Sequence, residues 1–279
     1  LPVRDGLGPA RVRMHGGNVA DEFQRRWGAG AKVCAGEVFR ADGAVLDATS
    51  VLPAGAVVYL YRDLPDEVVV PFDIPVLHRD ADILVVDKPH FLATMPRGAH
   101  VMQTALVRLR RELGLADLAP AHRLDRLTAG VLVFTVRPEV RGAYQTLFAR
   151  GQVSKTYLAR AGVDPALTFP LVVRSRIAKR RGCLQAVEEP GTPNAETLVE
   201  HLGDGHYRLT PRTGRTHQLR VHMASLGLPI AGDPLYPKVV DVAAGDFATP
   251  LSLLAQRLAF DDPFTGVRRT FTSARSLAS

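Results

Sequence analysis

Short apolar runs, each closed off by Asp, Gly or Pro, constrain this chain more than any other feature. VFRADGAVL (38–46) alternates around Asp42-Gly43, the short-range signal of a hairpin. VLHRDADILVVDKP (76–89) is two such runs about an acidic turn, stopped by Pro89. VLVFTV (131–136) is β-branched and reads as a buried strand, SKTYLA (154–159) alternates, and TLVEHLGDGHYRLTP (197–211) turns at Gly203-Asp204-Gly205. Helical signals are fewer. Leu106, Leu109 and Leu113 mark one amphipathic stretch over 103–113. PEVRGAYQTLFARG (138–151) carries Pro in its first turn and Gly at its stop. TGRTHQLRVHMASLG (213–227) offers Thr216 as N-cap and Gly227 as C-terminal stop. Strands outnumber helices, so the expected class is mixed α+β, a largely antiparallel sheet with flanking helices. There is no internal repeat and no low-complexity segment.

At 279 residues the chain suits one or two domains. ATSVLPAGAVVYLY (48–61) gives a turn at Pro53 to Gly55 and then a strand, and DLPDE (63–67) is an acidic, proline-containing connector. The expected boundary therefore separates residues 1–66 from 67–279. A membrane-spanning helix needs about 18 consecutive apolar residues, and the runs at Val68 to Val70 and at 131–136 are far shorter. Cys34 and Cys183 cannot build a disulfide framework or a cysteine zinc site, which favours a reducing compartment. The N-terminal residues lack the charged and apolar pattern of a secretory leader, so the expected location is cytoplasmic.

Lys and Arg number 35 against 28 Asp and Glu, a formal charge of +7. That excess suits a polyanionic partner, and equally an ordinary solvated surface. The charges are segregated. Seven acids lie between Asp63 and Asp87, whereas Arg174, Arg176, Lys179, Arg180 and Arg181 follow one another with no acid between them. This strip is a candidate phosphate-contacting path.

Three segments could carry chemistry. In AHRLDRLTAG (121–130), Asp125 stands between Arg123 and Arg126, and small residues follow that let another chain approach closely. A carboxylate beside guanidinium groups is held ionised and is a competent nucleophile or base; a loop ion pair is the alternative. In TGRTHQLRVH (213–222), His217 and His222 are five apart, not the four of a helical zinc pair, and no cysteine or carboxylate completes a set, so a metal is not expected. A helix whose first turn carries Gly214 and Arg215 suits an anion instead. In SKTYLA, Lys155 and Tyr157 share one face of a strand. A tyrosine facing a cleft can stack on a base or move a proton.

Taken in order, HRLDRLTAG, then SKTYLA, then TGRTHQLRVHMASLGLPIAGDPLYP resemble the RluA-type family of RNA pseudouridine synthases. The resemblance runs from ILVVDKP (83–89) to LAFDDPFTGVRRTF (258–271). It implies a pseudouridine synthase catalytic fold, a tRNA or rRNA partner, a monomer, and no cofactor or metal. It also implies roles: Asp125 as the catalytic aspartate, Tyr157 stacking on the target base and handling protons, and Arg220 pairing with the aspartate. Leu219 would lie beside the base, Arg123 and His122 would take the space vacated by the flipped nucleotide and hold phosphates, and Arg215 and Lys155 would bind substrate. Two departures stand out: Ala129 replaces a common Ser, and HFLATMPRGAH (90–100) replaces a shorter, glycine-containing loop. Residues 35–61 resemble the end of an S4 RNA-binding domain, with Arg11, Arg13, Arg25 and Arg26 the only basic candidates before it. Two other readings compete: a glycosidase, which needs a second carboxylate that Glu196, Glu200 or a turn-forming Asp233 would have to supply, and a non-catalytic RNA-binding protein on the same scaffold.

Overall fold

The computed structural model describes residues 1–61, 63–64 and 66–277, and the chain forms two compact units, Leu1–Asp66 and Glu67–Ser279. Pro65, within the expected connector, lies outside the described residues.

The first unit contains β1 (Ala10–Arg13), β2 (Gly17–Asn18), α1 (Val19–Trp27), α2 (Gly30–Cys34), β3 (Val38–Phe39), β4 (Val45–Leu46), β5 (Val51–Leu52) and β6 (Val57–Leu60). Helix α1 starts where the Asn18 side chain accepts the Asp21 N–H and stops at Gly28 in the left-handed region. Met14, Phe23, Val33 and Val58 are among the side chains of a small separate core.

The second unit opens with β7 (Val76–Arg79), β8 (Ile83–Lys88), α3 (Ala105–Leu113), β9 (Ala119–Pro120), β10 (Ala129–Thr135) and α4 (Pro138–Ala149). It continues with β11 (Ser154–Arg160), β12 (Leu171–Ala178), β13 (Val187–Glu189), β14 (Ala195–Gly203), β15 (His206–Pro211), α5 (Gln218–Ser225), β16 (Leu253–Asp261) and β17 (Arg268–Thr272). Its sheet runs β13-β12-β14-β15-β11-β16-β10-β8-β7, with β17 added to β16 and β9 to β10. Among the described residues, β10 against β16 is its one parallel ladder; the others are antiparallel. The class is therefore mixed α+β with a mostly antiparallel sheet.

Strands β8 and β10 are buried along their whole length. Ile83, Val85, Val131 and Val133 join Val140 and Tyr144 of α4 in one core. Leu84, Val86, Leu132 and Phe134 join α3 and α5 side chains in the other. Covered on both faces, these strands read as continuous apolar runs rather than alternating ones. Gly130 marks the crossing: its φ is 113°, and a Cβ there would lie 2.2 Å from the Ala255 carbonyl oxygen of β16.

Helix α5 departs from the sequence reading. It begins at Gln218, its N-cap is His217 rather than Thr216, and His217 has a left-handed φ of 59° with no capping side chain. Gly214 and Arg215 therefore belong to the preceding turn, not to a helical first turn that binds an anion. The Gln218 side chain holds this turn. Its Oε1 accepts the Arg215 N–H at 3.0 Å and the Thr213 hydroxyl at 2.7 Å, and its Nε2 donates to the Glu196 carbonyl and the Thr197 hydroxyl, each at 2.9 Å.

Candidate active site

The loop before β10, strand β11 and the turn before α5 enclose a cavity of about 370 Å³. Asp125, Tyr157, Lys155, Leu219, Arg220, Arg215, His122 and Arg123 all line it. Asp125 is 30 % exposed, open enough to meet a ligand.

Three side chains reached from β8 and the segment after it pin the Asp125 loop by its backbone. The Thr94 hydroxyl donates to the Leu124 carbonyl at 2.8 Å and accepts the Leu124 N–H at 3.1 Å. His90 Nδ1–H donates to the Leu127 carbonyl at 2.6 Å. Lys88 Nζ reaches the carbonyls of Pro89, Leu92 and Arg126 at 2.9, 2.8 and 3.3 Å. Lys88 is fully buried, and burial pushes its ammonium down to about 7 while the Asp125 charge acts in the opposite direction. An aspartate carried on so constrained a loop is pre-positioned, which is what chemistry at a fixed atom requires.

Arg220 is almost wholly buried, as is Asp233. The two make a bidentate pair, Nε to Oδ2 at 2.8 Å and Nη2 to Oδ1 at 2.6 Å. This fork leaves Nη1 facing Asp125 Oδ2 at 3.7 Å. Burial is the largest single influence and works against the Arg220 charge, and the bond to Asp233 together with the charges of Asp233 and Asp125 more than offsets it. Asp233 also accepts the N–H groups of Leu235 and Tyr236. The sequence reading made Asp233 a turn residue; it is one, and it is also the principal partner of Arg220.

His217 Nε2 lies 4.0 Å from Asp125 Oδ2, and its Nδ1 lies 2.9 Å from the Tyr236 hydroxyl. That hydroxyl accepts the Ala186 N–H at 2.7 Å. His222, by contrast, is buried away from the cavity against Thr197 and Ser175.

Across the cavity, Tyr157 presents a phenol raised above its ordinary range by burial first and by the Asp125 charge second. Lys155 donates to the Thr213 carbonyl at 3.3 Å, and burial lowers its ammonium. His122 takes a different part from the phosphate contact expected of it. Its Nε2 accepts the Val133 N–H at 3.2 Å, and its ring stacks on Phe148 with centroids 4.3 Å apart. Burial, then Lys155, pushes it from 6.5 to about 3, so at neutral pH it offers no cation. The stabilising contribution of this neutral ring is whole above about pH 6.5 and drains as pH falls towards 3, because only the unfolded chain takes up the proton. His122→Gln, which keeps an acceptor for Val133, is expected to flatten this acid limb by up to about 1.4 kcal/mol per pH unit. Urea midpoints at pH 7 and pH 4 measure it; parallel losses in both proteins would refute it.

The cationic strip lies outside the cavity, and strand pairing supplies the acids its sequence lacks. Arg174 meets Glu196 of β14 at 2.8 Å and Arg180 meets Glu189 of β13 at 2.7 Å. Lys179 Nζ donates to loop carbonyls, that of Leu184 at 2.7 Å among them. Arg176 and Arg181 are exposed and make no ion pair among the described residues.

Residues 82–225 match the family RNA pseudouridylate synthase. The chain belongs to the RluA-type RNA pseudouridine synthases. Dual-specificity RNA pseudouridine synthase RluA of Haemophilus ducreyi is 31 % identical over 214 residues, covering 71 % of this chain and 91 % of that protein. Pseudouridylate synthase RPUSD2 of Homo sapiens is 34 % identical over 171 residues, 60 % of this chain. This RluA-type chain spans only 31 % of the length of that human relative. Human RNA Pseudouridylate Synthase Domain Containing 4 aligns with a TM-score of 0.55 at 25 % identity, over 73 % of this chain and 88 % of that one.

Sequence reasoning overlooked Lys88, His90, Thr94 and Tyr236, and weighed His217 only as a metal ligand. The lysine that follows ILVVD was the one available signal, since a charge at the end of a buried strand must find acceptors nearby.

Proposed function

We propose that this chain isomerises uridine to pseudouridine in a tRNA or rRNA, with Asp125 acting on the ribose of an extruded uridine. The observation that carries the reading is the meeting, in one cavity, of the Asp125 carboxylate, the clamped Arg220 guanidinium and the Tyr157 ring. The reaction breaks the C1′–N1 bond, turns the uracil and rejoins it through C5; a proton leaves C5 and one is gained at N1. Removing the base from its stack costs a few kcal/mol, and a Tyr157 ring stacked on it with Leu219 alongside returns part of that cost. Arg123, exposed at the rim, and Arg215 meet the flanking phosphates.

The carboxylate count separates this from glycoside hydrolysis, which uses a pair. Asp125 is the one carboxylate among the described residues lining the cavity. Glu196 and Glu200 are occupied by surface arginines and Asp233 by Arg220. Relatives bearing the names dual-specificity RNA pseudouridine synthase and tRNA pseudouridine(32) synthase support tRNA or rRNA as the substrate class. The unit Leu1–Asp66 is assigned as an S4-like RNA-binding module, with exposed Arg11, Arg13 and Arg25 as its contacts, since Arg26 is engaged by Glu22.

The test is purified protein on bulk tRNA and rRNA, followed by carbodiimide mapping of pseudouridine. New modification at one or a few uridines is the expected result. Binding without any new pseudouridine in either RNA class would leave the non-catalytic reading standing instead.

A further inference from the structure

Consecutive residues of one loop serve different cavities. Asp125 lines the first, and Arg126 lines a second of about 440 Å³, within the range of about 300–1,000 Å³ typical of small-ligand sites. Asp233 and Tyr236, which hold Arg220 and His217 at the first site, also form part of the second. The remaining walls are largely apolar, with Phe91, Leu127, Pro237, Val240 and Val242 among them. Against these stands the half-buried Arg126 guanidinium, which has no hydrogen bond or ion pair among the described residues. The charges that act on it are basic, Arg220, Lys88 and His100; the two carboxylates of the cavity wall, Asp233 and Asp246, make no ion pair with it among the described residues, Asp233 being taken by Arg220.

A guanidinium with no acid paired to it, in a cavity that also offers an aromatic ring and aliphatic walls, suits a ligand that is flat, apolar on its faces and attached to an anion. A nucleobase on its phosphate has that character, and guanidinium planes stack on bases. A strand that delivers one base to Asp125 brings its neighbours past Arg126, because the two residues are adjacent. We propose that this second cavity receives another nucleobase of the RNA substrate, extruded beside the uridine that enters the Asp125 site. The proposal rests on the isomerase reading and goes beyond it by making the flanking nucleotide a determinant of which uridine is chosen.

The experiment uses the full chain and synthetic stem-loops centred on the uridine mapped above. Each of three nucleotides on either side is replaced in turn by an abasic residue, and binding is measured with the target replaced by 5-fluorouridine. One flanking abasic substitution is expected to weaken binding by about tenfold, within the range that stacking of one base gives. Arg126→Ala is expected to weaken the intact stem-loop similarly, and the two losses are not expected to multiply. Since Arg126 adjoins Asp125, Val242→Trp gives an independent reading: it fills the cavity from a position 44 % exposed, so the fold is spared. It should weaken the intact stem-loop and leave the responsive abasic one unaffected. If no flanking abasic residue weakens binding, or if the losses multiply, the cavity holds no base, and a peptide or small molecule as its occupant would give that same result. Wild-type conversion of the intact stem-loop is scored in parallel: conversion with multiplying losses sinks the second site alone, and no conversion sinks the isomerase reading with it.

Discussion

Asp125→Asn is expected to reduce pseudouridine formation by about 10²–10⁴-fold or more, the range set by losing a positioned reacting group, with RNA affinity little changed. The amide keeps the shape of the carboxylate and removes its charge and basicity. The fold is insulated from the change, because Arg220 keeps its two bonds to Asp233 and loses only the 3.7 Å approach of Nη1. The loop is insulated too, being held through backbone atoms of Leu124, Arg126 and Leu127. Single-turnover conversion and filter binding on the same RNA separate the two effects. Retention of more than a tenth of the wild-type rate, far above that range, would remove Asp125 from the chemistry.

Asp233→Leu carries the largest expected effect on stability, about 3–5 kcal/mol, the loss typical when one partner of a buried ion pair is deleted. Arg220, 2 % exposed, would keep its charge with no acid within bonding distance other than Asp125. The N–H groups of Leu235 and Tyr236 would lose their acceptor as well. Adding Arg220→Met removes the stranded charge, so the double variant is expected to recover much of the loss and still make no pseudouridine. Urea midpoints of the two variants and the wild type decide it. A single variant as stable as the wild type would show that the pair does not hold this wall of the cavity.

What was readable in the chain was readable for local reasons. The β-branched run of β10 and the turn at Gly203-Asp204-Gly205 are set by residues a few positions apart, and the structure places a buried strand and a hairpin there. The small residues after Asp125 suggested a close approach by another chain, and what meets Gly130 is Ala255 of the same chain. What escaped depends on residues brought together from afar. The start of α5 is set by Gln218 reaching β14, which no count along 213–227 reveals. The strip at Arg174 to Arg181 loses much of its free charge to Glu189 and Glu196 on paired strands. The same holds at the candidate site, where motif spelling suggested that Arg220 answers to Asp125, and the nearer acid proved to be Asp233, beyond the end of the helix.

Strand β16 lies between β11, which carries Tyr157, and β10, which follows the Asp125 loop. Both neighbours are synthesised long before it. A nascent chain that has already produced Asp125, Tyr157 and Arg220 therefore still lacks the strand that sets their separation, and until β16 emerges β10 and β11 each keep an open edge. Open edges invite pairing with other chains, so the cavity can close only once β16 has been made, and a product cut short before Leu253 would carry every named site residue and still have no site.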